Sequence, residues 1–176
     1  MIERPLPTVL GPMPTARRMT TIDEQFVRVP LEIIFRIAVD VEGWPSHLAH
    51  YRYVRMRERD PNGGGLVEMS ANRPFGVLDW PTWWLSEMEV RKPSGAQAPV
   101  IRFRHVGGIT TGMDVEWSFR PAAGGNHVRI LHVWNGPRWP GIGSIAANMV
   151  IGPIFIHGIA SRTLAGLAQA AVTQFL

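Results

Sequence analysis

The sequence predicts an α+β fold in which a curved antiparallel sheet of about seven strands closes around one long C-terminal helix. Three observations predict it. The stretch from Ile142 to Leu176 has no acid and a single arginine, Arg162, and apolar and small residues dominate it. Upstream, six successive segments alternate polar and apolar residues with short turns between them, as antiparallel strands with one covered face do. Two short helical patterns separate those six from a first strand. A helix with so little charge needs a broad apolar surface, and a long meander of twisted strands curls into one.

The elements follow in order. Met1 to Thr20 is Pro-rich and aperiodic and reads as an extended or flexible arm; residues 21–176 form the domain. Thr21 to Val29 suits a first strand. Pro30 ends it and opens a helix whose stripe is Leu31, Ile34, Phe35 and Ala38. Asp40 to Gly43 closes that helix, and Trp44-Pro45 opens a second, short one through about His50. Strands are then expected over Tyr51–Arg59, Leu66–Arg73, Trp80–Arg91, Pro99–Val106, Gly112–Arg120 and His127–Gly136. Glycine-rich turns join several of them, Asp60 to Gly65 first. In the last stretch Gly152 marks a break, so Ser144 to Ile151 is a separate turn or lead-in, and Pro153 fits the first turn of the long helix. Ile156, Ala160, Thr163, Leu167 and Ala170 line one side of it, with Phe155, Ile159 and Arg162 beside them.

Composition narrows the function. A chain of 176 residues with 45% hydrophobic and 18% charged residues is most simply one domain with a real core. With no cysteine, disulfides, thiolate metal sites and a cysteine nucleophile are excluded. The N-terminus lacks the apolar run of a secretory signal, and a cytoplasmic protein is expected. The net charge of +4 lies wholly after Glu116, in Arg120, Arg129, Arg138 and Arg162. It is either a scatter of surface arginines or an attraction to an anionic partner, a membrane surface or an acyl carrier protein. Nucleic acid is not expected, since there is no basic cluster and Lys92 is the sole lysine. The apolar run Ile145 to Ala160 is too short and too interrupted to span a bilayer. No metal-ligand spacing, phosphate loop or nucleophile elbow occurs, and no cofactor or metal is implied.

Alternation assigns the faces of the strands. One face carries Val54, Met56, Val67, Met69, Ala71, Arg73, Trp84, Ser86, Met88, Ile101, Phe103, His105, Met113, Val115, Trp117, Phe119, Val128, Ile130, His132 and Trp134. We take this face as concave and expect it to line a mostly apolar cavity, with Tyr51, Met69, Trp84, Met88, Phe103, Met113, Trp117 and Trp134 as ligand contacts. Arg73, His105 and His132 break the apolar pattern. Arg73 is either solvated at a strand end or an anchor for a ligand carboxylate or enolate. Each histidine is either satisfied by polar neighbours or serves a ligand carbonyl by hydrogen bonding or acid–base work. Trp80 and Trp84 share a face and Trp83 takes the other. On the opposite face, Asp114 and Glu116 are expected to meet solvent.

The segment Val27 to Met56, "VRVPLEIIFRIAVDVEGWPSHLAHYRYVRM", resembles the opening signature of the polyketide cyclase/dehydrase and lipid-transport superfamily, the START-like, helix-grip or Bet v 1-like (SRPBCC) proteins. A strand ends at Pro30, a helix follows, and Asp40-Val41-Glu42 with Trp44-Pro45 leads to Tyr51. The C-terminal "FIHGIASRTLAGLAQAAV" is similar to the family's closing helix. The resemblance implies the helix-grip fold and either of two functions, since a fold does not set a function. One is binding of a hydrophobic ligand, a lipid, quinone or aromatic metabolite, by a monomer or homodimer. The other is a polyketide cyclase/aromatase-like enzyme that closes and dehydrates a poly-β-ketone, with Arg73, His105 and His132 as its polar groups.

Overall fold

A computed structural model describes residues 2–15, 19–75, 78–136 and 152–175, with the backbone alone for 73–75, 78–80 and 152–157. Eight strands form one sheet: β1 (Ile2–Glu3), β2 (Met19–Val27), β3 (Tyr51–Arg59), β4 (Gly65–Phe75), β5 (Leu78–Arg91), β6 (Val100–Gly108), β7 (Asp114–Ala122) and β8 (Gly125–Trp134). Their order is β1-β3-β4-β5-β6-β7-β8-β2, antiparallel throughout except for the parallel β1–β3 pair. Between β2 and β3 lie α1 (Leu31–Val39), a 3-10 turn (Val41–Gly43) and α2 (Trp44–His47). Helix α3 (Gly152–Phe175) packs on the concave face.

Local chemistry explains the breaks. Pro30 stands at the start of α1, where a missing N–H is tolerated. The buried Asn126 side chain donates to the Val29 carbonyl at 2.7 Å, tying the β7–β8 hairpin to the end of β2. Gly65 opens β4 with φ +128°, and a Cβ there would lie 2.1 Å from the Glu58 carbonyl oxygen, so the β3–β4 hairpin admits only glycine.

The assigned faces hold wherever side chains are described. Val67, Ala71, Met88, Ile101, Phe119, Val128 and Ile130 are fully buried, and α3 sets Ala160, Thr163, Leu164, Leu167, Ala168 and Ala171 against the concave side. Arg162 and Ala170 lie outside that stripe, and the side chains of Phe155 and Ile156 are outside the described residues, as is the lead-in Ser144 to Ile151.

Three expectations need correction. The sheet has eight strands, because the chain start adds β1 to the edge. Helix α2 stops at His47, short of the expected end near His50, while β3 spans Tyr51–Arg59 as expected. Asp114 does not meet solvent: it is 3% exposed, and Arg104 bonds it at 3.0 Å while Arg102 stands 3.8 Å away. The reason is the N-terminal segment, which crosses the convex face. Thr8 N–H donates to Asp60, Leu10 N–H to Glu89, and Arg102 and Arg104 donate to the carbonyls of Gly11 and Leu10. Charges placed outward by alternation are thereby covered.

Candidate functional site

Between the sheet and α3 lies a cavity of about 70 Å³. Its floor comes from Met69 (β4), Trp84 (β5), Phe103 and His105 (β6), Val115 and Trp117 (β7), and Ile130 and His132 (β8). Trp44 and Tyr51 close one side, Thr110 and Met113 come from the β6–β7 turn, and Ile159, Ala160 and Thr163 of α3 form the roof.

The wall is a chain of aromatic contacts. Trp44 meets Tyr51 edge-on at 5.5 Å and lies 5.6 Å from Trp117, and Tyr51 meets Trp84 at 6.1 Å. Trp84 stacks on His105 with centroids 6.0 Å apart and planes 15° from parallel. These offset and edge-on arrangements are the favourable ones for rings that carry a quadrupole. The Trp44 indole N–H is satisfied by the Ile37 carbonyl at 3.3 Å, so this ring is locked to the end of α1.

The polar groups are few. His105 Nδ1 and Thr110 Oγ1 share a hydrogen bond of 2.6 Å, and both residues are buried. His132 Nδ1 lies 3.4 Å from Thr21 Oγ1, on the neighbouring β2. At the roof Thr163 Oγ1 and His50 Nε2 are 3.1 Å apart. Burial, and secondarily the Arg162 guanidinium, lowers the His50 pKa from its ordinary 6.5, which favours the neutral ring. His105 and His132 stand two strands apart with β7 between them, His105 opposite Met113 and His132 opposite Val115, so roughly 12 Å separates them at the backbone. They face one cavity, each beside a threonine hydroxyl.

Of the candidate ligand contacts, Tyr51, Met69, Trp84, Phe103, Met113 and Trp117 line this cavity. Met88 and Trp134 do not. Met88 is wholly enclosed in the core, and Trp134 is turned towards the β6–β7 turn, where its indole N–H donates to the Thr111 carbonyl at 3.1 Å. Arg73 pairs with Trp80 in the β4–β5 register, but its side chain, like that of Trp80, is outside the described residues. Sequence reasoning missed Trp44, Thr110 and Thr163 as cavity groups. Trp44 had a signal, an aromatic beside the helix-opening Pro45. The two threonines had none, because a turn residue and one helical hydroxyl gain meaning only from what they face.

A model of the polyketide cyclase / dehydrase and lipid transport family matches residues 27–153, well over half of the chain. The chain belongs to this family. No curated protein matches it in sequence. Among solved structures it is similar to the Thermus thermophilus protein TTHA0849 (TM-score 0.71, 18% identity), over 88% of this chain and 98% of that one. It is similar to a START superfamily protein from Mycobacterium smegmatis (TM-score 0.64, 14% identity, 89% and 99% covered). It is also similar to the Zhui aromatase/cyclase from Streptomyces sp. R1128 (TM-score 0.70, 15% identity, 86% and 92% covered). At these identities the likeness establishes the helix-grip fold and leaves the ligand open.

Proposed function

We propose that this family member binds a hydrophobic small molecule, a lipid, quinone or aromatic polyketide metabolite, in the cavity beneath α3. The observation that carries the reading is the lining: an aromatic and methionine wall with His105 and His132 as the strand-borne polar groups, each beside a threonine. The histidines are placed to hydrogen-bond ligand oxygens. Arg73, on the same face as Met69 and Ala71 by strand alternation, is the anchor for an acidic group.

The volume adds a requirement. About 70 Å³ holds a few waters, whereas sites for drug-sized ligands run from about 300 to 1,000 Å³. Binding is therefore coupled to loosening of α3 and to new rotamers of Met69 and Met113, whose unbranched chains adapt at low cost.

The test is titration with anilinonaphthalene sulfonate, a fluorescent apolar probe, alongside native mass spectrometry of the purified chain for carried ligand. The wild type should bind the probe with micromolar affinity. Ala160→Leu, which drives three more carbons into the cavity, should weaken binding at least tenfold and keep the fold. Equal affinity of the two proteins would refute the cavity as the site.

A second reading, a cyclase/aromatase-like enzyme, is favoured by one observation: two histidines line the same cavity. It requires turnover of a poly-β-ketone thioester that His105→Gln or His132→Gln abolishes while probe binding persists.

A further inference from the structure

The arm divides the convex face of the sheet in two. Over β5–β7 it covers charge: Arg102 is fully buried, Glu89 and Asp114 nearly so. The other half, over β3–β5 and the end of β6, lies outside the arm and sets exposed apolar side chains among charged ones, with Ser70 buried at its middle. Trp83 is 52% exposed and Val106 42%. Tyr53, Ser70 and Trp83 stand in one row across β3, β4 and β5. The Trp83 ring reaches Gly107, its Cζ3 lying 3.9 Å from where a Cβ would stand, an ordinary contact distance.

Arginines border this shelf. Arg52 donates to Ser70 Oγ at 3.3 Å, and the Arg55 guanidinium sits 4.6 Å over the Tyr53 ring. Arg57 bonds Glu68 at 2.7 Å, and the same carboxylate accepts from the Tyr53 hydroxyl at 2.8 Å. Two guanidinium groups, Arg57 and Arg55, thus act on the one engaged carboxylate of Glu68, and Arg52 stands beside them at Ser70. Further along, Glu87 stands opposite Arg104 in the register.

We infer that this uncovered tryptophan–arginine shelf docks the protein on an anionic phospholipid surface. Three physical points favour a bilayer over an acidic protein. The shelf is the open convex face of a sheet, which presents a rounded surface and no groove. An indole with an apolar body and a polar N–H prefers the headgroup level of a membrane. Clustered arginines are attracted by the negative potential of anionic lipids. Contact is peripheral, since no helix among the described residues is long and apolar enough to cross a membrane. The inference stands on the convex face and is independent of what the cavity holds.

The experiment is co-sedimentation of the full chain with vesicles of equimolar phosphatidylglycerol and phosphatidylcholine, and with phosphatidylcholine alone. The wild type should pellet with the anionic vesicles at low salt, stay free of the neutral ones and be released as salt is raised. Removing both flanking charges, Arg52→Gln with Arg55→Gln, should lower the partition coefficient roughly 30-fold, at about 1 kcal/mol for each arginine. Trp83→Ser should weaken binding while keeping the charge, and Arg120→Gln, exposed at the far end of β7, should leave it unchanged. These positions are exposed, so melting temperatures should match the wild type. The proposal is overturned if wild type shows no preference for anionic vesicles, or if the double variant binds as wild type does. It is overturned equally if Arg120→Gln loses as much as the double variant, or if the shelf captures an acidic protein but no vesicle.

Discussion

Trp84 shows how one side chain serves both core and cavity. It is 4% exposed, its ring faces the cavity, and it packs on His105 and Tyr51. A ring held on two sides beside so little free volume behaves first as core. Trp84→Ala should cost about 3–5 kcal/mol in urea denaturation, the usual cost of deleting a buried aromatic. Apolar probe affinity should fall less, because the hole left behind enlarges the cavity. A variant with wild-type stability but no probe binding would place Trp84 in the site alone. The hydroxyl partners of the two histidines are a second lesson at this scale. Thr110 and Thr21 come from a turn and from a different strand, and neither carries a mark of that role in the sequence.

At the scale of elements, the arm and α3 are opposites. Helix α3 is held by burial of small apolar residues, and Leu48, just past the end of α2, meets it so closely that a Cβ on Gly166 would stand 2.3 Å from Leu48 Cδ2. The arm is held by hydrogen bonds to charges. Asp60 is the main clasp: its carboxylate accepts the backbone N–H groups of Thr8, Asn62 and Gly64 at 2.8, 2.9 and 3.0 Å. It is 5% exposed, and its removal leaves those donors without their acceptor. Asp60→Ala should destabilise the protein by about 2–3 kcal/mol and loosen the arm. Amide hydrogen exchange should show protection lost at Thr8 and Leu10 well before the β5–β6 pair; retained protection there would show that Glu89, Arg102 and Arg104 suffice to hold it. Alternation had assigned Asp114 and Arg102 to the outer face, and the outer face is where they are. It could not reveal that residues about 90 positions away would lie over them.

At the scale of the whole molecule, His50 links stability to pH. Its pKa in the folded chain is lowered by burial first and by Arg162 second. The unfolded chain therefore takes up a proton near pH 6.5 that the folded chain resists. Above that pH both forms are neutral and the group has no effect. As pH falls from about 6.5 towards the lower folded value, stability is lost, and the loss then levels off. The urea midpoint should fall between about pH 7.5 and about pH 5.5, and the fall should be smaller in His50→Gln. Identical slopes would show that other groups carry the pH dependence. Because Arg162 stands on α3 beside His50, a protonated ring repels that helix, and the same acidification should ease α3 from the sheet and quicken probe uptake.

The order of elements, the inward faces of the strands and the family are all legible in the chain, because strand alternation, the Pro30 stop and the Asp40–Pro45 segment are local patterns. Alternation also brings Trp84, His105, Met113 and His132 together on one face, since a period of two leaves each strand one choice, whereas Tyr51 joins them only through the bulge between Tyr51 and Tyr53. The rest belongs to the folded molecule. Folding enclosed Met88 in the core and turned Trp134 towards the β6–β7 turn, gave His105 its Thr110 and His50 its Thr163, shrank the cavity to about 70 Å³, and laid the arm over Arg102. Each of these depends on the path of a turn or on the meeting of residues far apart in the chain. Curvature, turn geometry and the seating of α3 set those meetings, and no periodic pattern records them.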